Sequence, residues 1–475
     1  MFCKFFITLT TTVALGTHLC GAIEPADTLR LPLDSCISIA LSDNPTIKVA
    51  DMEITRMDYS KKEVIGQLLP SIAFGATYNR TLAKQTMYMN MNRTGATSPG
   101  NGSDDGGDSE SGSSATSSGG GGIKVGLDNS YSMGFSASMP LIAPQLWKSL
   151  KLSDSQIIQS VEQARQSRIN LINQVKNAYY MLLLAEDSYR VILESYDMAR
   201  FTADLYEKQH SLGAASKYDV LRTQVAVKNV EPELTQATIA IKQAKLQLKI
   251  LMGMDAAIPI AATTTLADYE NGMYGGVLDI DRSDISGNSE LRLLDIQTRQ
   301  LRDALSVQKM AWYPTLALNA NYNWTSMSNG SPLKNFRWNP YSMIGLTLSI
   351  PLFEGGQRYT RIKQAEIQVR EMGWQRDNML RSINMQVDLA MDNIQMNVKQ
   401  IASCSESVHQ AEVAHDIMKQ SFEIGAASYL DLRDSELALT QSRLAYNQAI
   451  YNYLVAKSDL ELLLGNADVS QYNRK

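Results

Sequence analysis

Two periods alternate along this chain. Apolar positions first recur at steps of three and four. Ile37, Ile39, Leu41, Ile47, Val49, Ile54 and Met57 mark a helical segment over 34–66, with Asp34 as its cap and Leu69-Pro70 as its end. From Ser71 the period is two: Ile72, Phe74, Ala76 and Tyr78 alternate with Ser71, Ala73, Gly75 and Thr77. Residues 94–122 are almost entirely Thr, Ser, Gly, Asn and Asp and read as a flexible surface loop. Alternation then resumes, with Val125, Leu127, Tyr131, Met133, Phe135, Ala137 and Met139 on one face. Lys124, Gly126, Asp128 and a run of serines take the other. This stretch has roughly 15 residues, more than the ~9–11 that a tilted membrane-spanning strand needs. A strand of a soluble sandwich shows the same alternation.

After Pro140 and Pro144, a helical pattern runs from Gln145 to Gln209 with no Gly or Pro. At 1.5 Å per residue this is about 95–100 Å, and a helix of that length needs partners throughout. A return helix spans Ser216 to Met252, with a kink expected at Pro232 and an end at Gly253.

The whole order then repeats. Ser289 to Met310 is helical and Tyr313-Pro314 ends it. Leu316, Leu318, Ala320, Tyr322 and Trp324 alternate with Thr315, Ala317 and three asparagines. Ile344, Leu346, Leu348 and Ile350 follow in the same period, and a second long helix covers Gln357 to Phe422. Gly213 and Gly425 lie 212 residues apart, as do Gly253 and Gly465, so this is an internal duplication. The division is an export signal at 1–22, a first repeat at 23–253 with strand hairpin 71–140, and a linker at 254–286. A second repeat follows at 287–465 with strand hairpin 315–351, then a tail at 466–475. In each repeat the short and return helices together match one long helix, so two shorter helices are expected end to end beside each long one. The fold class is mainly α with a β-barrel part. Four strands cannot close a barrel, and open edges are not tolerated in lipid, so three protomers are expected to share a 12-stranded transmembrane barrel. The duplicated helical hairpins would form an α-helical barrel.

Composition narrows the class. A net charge of −5 argues against a nucleic-acid binder. Twenty-one Tyr against 9 Phe and 5 Trp suit side chains with one wet end, as at a membrane interface. Lys4, the apolar run to Leu19 and Cys20-Gly21-Ala22 form a secretory signal. Lipidation at Cys20 is an alternative, although Thr17-His18-Leu19 matches a lipoprotein signal poorly. No apolar run reaches the roughly 18 residues of a spanning helix. Cys36 and Cys404 make no disulfide framework. His210, His409 and His415 form no metal motif, and no nucleophile motif is present, so neither enzyme activity, cofactor nor metal is expected.

The motifs that join the helices carry a resemblance. Leu212-Gly213-Ala214-Ala215-Ser216 with Asp219, and Ile424-Gly425-Ala426-Ala427-Ser428 with Asp431, together with Tyr313-Pro314 and Pro351-Leu352-Phe353, resemble the TolC-type outer-membrane efflux family over roughly Asp34 to Gly465. The resemblance implies a homotrimer in outer-membrane lipid with its helices in the periplasm, where 254–286 would form the equatorial region. The tips would meet a periplasmic adaptor protein, and through it an inner-membrane pump. It implies an exit duct of a tripartite efflux system. The outer-membrane part of a type I protein secretion system and a structural periplasm-spanning protein are the alternatives.

The tip residues also have a local reading. Gly213 and Gly425 suit left-handed helix ends, Ser216 and Ser428 suit N-caps, and Asp219 and Asp431 complete capping-box patterns. Small Ala214, Ala215, Ala426 and Ala427 would let a docking hairpin approach. Asp431 and Asp434 lie three apart on one helix face, and the resemblance implies carboxylate rings at the closed end of the tube. Such rings favour cations and raise one another's pKa. The first tip has Arg222 where the second has Asp434. Ala427 and Phe422 depart from the basic residue and tyrosine of some family members, so closure is expected to rest mainly on packing.

Overall fold

The computed structural model describes residues 28–87, 123–272, 285–329 and 337–465. The expected export signal, the loop 94–122 and the tail 466–475 lie outside the described residues. The chain divides into two compact units. One comprises Met57–Gln156 with Arg299–Arg370, and the other Met1–Arg56, Ile157–Thr298 and Glu371–Lys475.

The first of these is the strand unit. Strands β2 (Ser71–Arg80), β5 (Asn129–Ile142), β7 (Thr315–Ser328) and β8 (Asn339–Ser349) form one antiparallel sheet in the order β2-β5-β7-β8. The register sorts side chains by type. One face carries the row Phe74, Phe135, Tyr322, and Phe135 packs on Phe74 at 5.1 Å and on Trp324 at 6.3 Å between ring centroids. Ile72, Ile344, Leu346 and Leu348 extend this face and are exposed in the single chain. The opposite face carries the row Thr77, Ser132, Thr325, Asn339 and the row Ala73, Ser136, Asn321, Met343. Among the described residues, strands β2 and β8 have their outer edges unpaired. The strand expected over 124–139 is broken. Gly126 has φ 110°, and it separates the short β4 (Ile123–Val125), paired with β3 (Gln85–Met87), from β5. Strand β5 also runs past Pro140, with a register shift between Pro140 and Ile142.

The helical unit is organised by parts of the long helices α3 (Pro144–Ser211) and α6 (Gln357–Glu423) and by the return helices α4 (Lys217–Met252) and α7 (Tyr429–Leu464). Helix α4 continues through Pro232 without a break. Tyr179, Leu182, Leu248, Met252, Ile383 and Tyr453 are almost wholly buried in its core. No helix among the described residues is long and apolar enough to cross a membrane.

The expected single helix over 34–66 is two helices, α1 (Leu33–Asp43) and α2 (Pro45–Gly66). Asn44 between them is extended (ψ 126°), as a residue before proline should be. Buried Asn44 then serves both ends of the junction. Its Oδ1 accepts from Thr46 N–H at 2.7 Å, and its Nδ2 donates to the Leu251 carbonyl at 2.7 Å, in the last turn of α4. The duplication repeats this splice. Asn288 Oδ1 accepts from Glu290 and Leu291 N–H at the start of α5 (Ser289–Met310), and its Nδ2 donates to the Leu463 carbonyl at 2.8 Å. This is the end-to-end stacking expected from helix lengths, with its joint now visible.

The linker also holds order. Strand β6 (Ile260–Ala262) pairs in parallel with β1 (Leu29–Leu31), and a 3-10 helix covers Leu266–Gly272. Tyr179 fixes this corner, its hydroxyl 3.3 Å from the Leu31 carbonyl and 3.0 Å from Thr264 Oγ1.

Candidate functional site

Both tips are built by the same local chemistry. At the end of α3, Gly213 adopts φ 78°. Its N–H donates to the His210 carbonyl at 2.9 Å, and Ala214 N–H donates to the Gln209 carbonyl at 2.7 Å. At the end of α6, Gly425 adopts φ 77°, with matching bonds to Phe422 at 3.0 Å and from Ala426 to Ser421 at 2.8 Å. This is the paired closure of a Schellman motif, which satisfies carbonyls the helix leaves free. Each return helix then opens with a complete capping box. Ser216 Oγ accepts from Asp219 N–H at 3.2 Å, and Ser428 Oγ accepts from Asp431 N–H at 3.3 Å. Each Asp in turn accepts from its own serine's hydroxyl, at 2.6 and 2.7 Å.

Those bonds hold the Asp431 carboxyl below the usual carboxylate range. Within one protomer the serine cap favours the charged form of Asp431. Asp434 is exposed and makes no hydrogen bond or ion pair among the described residues. Of the two carboxylates, one is a helix cap and the other is free. Leu212 and Ile424 stand at the extremes of the two turns, 84% and 81% exposed, beside exposed Ala214 and Ala426.

An aromatic cluster ties the two tips together. Tyr206 of α3 lies 5.6 Å from Tyr429 and 6.4 Å from Phe422 between ring centroids. The Arg222 guanidinium of α4 sits 5.2 Å over the Tyr429 ring. Burial first, then the Asp219 carboxylate, push the Tyr206 phenol above its ordinary value. Within one protomer the two tips thus touch through ring packing and a cation–π contact. Further along α7, Arg443 donates to Glu194 of α3 at 2.7 Å and to Glu412 of α6 at 2.9 Å, clasping three helices. Buried His415 of α6 lies 3.3 Å from Ser435 Oγ, and burial holds its pKa down.

The turns are legible in the sequence and this cross-tie is not. Tyr206 and Phe422 do not occupy equivalent positions in the two repeats, so duplication alone does not pair them. The available signal was the aromatic and cationic content unique to each tip: Tyr206 and Arg222 in the first, Phe422 and Tyr429 in the second.

A sheet with one lipid-compatible face, joined to duplicated helices of 68 and 67 residues that end in capped tips, defines an outer-membrane duct. The chain belongs to the outer membrane efflux protein family, whose model matches residues 36–254 and 285–466. It is 22% identical over 337 residues to the outer membrane protein TolC of Vibrio cholerae, covering 70% of this chain and 76% of that one. It is 24% identical to the alkaline protease secretion protein AprF of Pseudomonas aeruginosa, covering 72% and 70%. Among solved structures, the Campylobacter jejuni CmeC outer membrane channel shares the fold, with TM-score 0.69 and 18% identity over 96% of this chain and 94% of that one. Membership makes the protein a non-enzymatic outer-membrane channel component of an efflux system, a role that entails pump partners.

Proposed function

We propose that three copies assemble into the duct, with the strands sharing a 12-stranded barrel and the helices a periplasmic tube. We further propose that the tips form its gate and its docking surface for a periplasmic adaptor. The observation that carries the assembly is the sheet itself. Among the described residues its outer strands β2 and β8 are unpaired along their outer edges, while one face is apolar enough for lipid. Unpaired backbone groups cost several kcal/mol each in hydrocarbon, so the sheet needs neighbours. The names of its relatives range from protease secretion to cobalt-zinc-cadmium resistance and toluene efflux. The duct is what they share.

In this reading Asp434, exposed and unpaired, supplies the charge that meets cargo, and Asp431 supports it while capping α7. Leu212, Gly213, Ala214, Ala215 and Ser216 form the first docking tip, with Asp219 capping its helix. Ile424, Gly425, Ala426, Ala427 and Ser428 form the second. The experiment is planar-bilayer recording of the purified protein, with its mass in detergent measured alongside. A trimeric mass, conductance and block by multivalent cations are expected. Asp431→Ala with Asp434→Ala should relieve the block. Unchanged block would remove the gate assignment, and a monomeric mass would remove the shared barrel.

A further inference from the structure

The polar face of the sheet has a property that the duct role does not require: among the described residues, it carries no charge. Its rows across β2, β5, β7 and β8 are built from Ser, Thr, Asn, Gly and Ala, with Pro140, Met327, Tyr341 and Met343 the larger members. Arg80 is the one charged residue in these four strands, and its position in the alternation puts it with the apolar face, beyond Tyr78.

Three asparagines at alternate positions of β7 form the spine of this face. Asn319 Nδ2 donates to Thr347 Oγ1 at 2.9 Å, and Asn323 Nδ2 donates to the Tyr341 hydroxyl at 3.2 Å. The Asn323 side chain lies over Gly134, its partner on β5. A Cβ there would sit 2.1 Å from Asn323 Oδ1 and 2.4 Å from the Tyr322 carbonyl. The side chain of Asn321, between Ser136 and Met343, makes no hydrogen bond among the described residues. A carboxamide presents both donors and an acceptor, so it can partner a cation, an anion or a neutral polar group equally. Charge selectivity in pores comes from rings of fixed charge, and this face has none to contribute.

We propose that the strand-lined stretch of the duct selects by hydrogen bonding and not by charge. Asn321 is the cargo-contacting residue of that stretch, and any charge preference arises elsewhere in the chain, at the tip carboxylates. The cargo class this admits is polar organic molecules of either sign or none. The proposal rests on the reading of the protein as a duct whose polar sheet face lines the path.

The test is reversal-potential measurement across a KCl gradient in planar bilayers. The starting protein is the full chain with Asp431→Asn and Asp434→Asn, to which Asn321→Asp, Asn321→Lys or Asn321→Gln is added. The starting protein is expected to have a potassium-to-chloride permeability ratio near unity, and Asn321→Gln to leave it there. Asn321→Asp should shift it several-fold toward potassium, and Asn321→Lys several-fold toward chloride. A strong preference in the starting protein overturns the uncharged path, and a ratio unmoved by both charged variants overturns Asn321 as a path residue. Absence of any conductance in membrane-inserted, trimeric protein instead counts against the duct reading itself.

Discussion

The two tips are copies of one turn put to different uses. Residues 212–216 and 424–428 share a left-handed glycine within a degree of φ, the same pair of closing bonds and the same reciprocal serine–aspartate cap. Past the cap they part. The first places Arg222 where the second places Asp434, and that arginine lies over Tyr429 of the second tip. The backbone of the turn is thus set by three residue types, while its side-chain surface is left to vary. One copy contributes a cation that holds the pair together, and the other keeps an unpaired carboxylate. The duplicated element supplies geometry twice and electrostatics once from each side.

The sharpest way to break this comparison is at the glycines. No atom lies within 4 Å of a Cβ built at Gly213 or Gly425, so substitution costs backbone strain alone. Gly213→Val and Gly425→Val should each weaken their tip by about 1–2 kcal/mol. Amide hydrogen exchange at the two turns should show equal loss of protection, and unequal losses would mean the turns are not mechanically alike. Next come the caps. Ser216→Ala and Ser428→Ala should each cost about 1 kcal/mol, read by the same exchange. The Asp431 carboxyl is held below its unfolded value by Ser428. Its stabilisation is therefore full above the unfolded pKa, about 4, and is lost as pH falls through the lower folded value. Acid should loosen the second tip in the parent protein, and Ser428→Ala should abolish that response. The smallest effect belongs to the cross-tie. Arg222→Gln removes a partly exposed cation–π contact of about 0.5–1 kcal/mol. It should raise the frequency of channel opening in bilayers without altering cation block, whereas changing Asp434 should do the reverse.

Much of this architecture was legible in the sequence because it rests on local rules. Period-two alternation gave the strands, Gly and Pro gave the ends, and the repeat of Gly213 at Gly425 gave the duplication. What escaped was decided by contacts between distant residues. Asn44 reads as a helix interior until Pro45 is given its due, and nothing local says that its side chain reaches Leu251. The strand β6 is three residues long and exists because β1 lies beside it. Gly126 looked like one more small residue on a polar face, yet its φ of 110° breaks the strand. At the candidate site the caps were readable and the cluster of Tyr206, Phe422, Tyr429 and Arg222 was not, since it joins four helices from both repeats.

The asparagine splices bear on the order in which the molecule can be made. Each joins a helix start to a carbonyl 207 or 175 residues further on, at Leu251 and at Leu463. Contacts of such separation carry the entropy of closing a long loop and form late. The second splice waits for residue 463, in the last turn of α7. Until that residue has been synthesised, Asn288 has no carbonyl to meet and the start of α5 lacks its seal. The second repeat therefore leaves this joint open until α7 has formed. A chain bound for export gains from this, because translocation needs an unfolded polypeptide and the second joint closes only after α7 has passed.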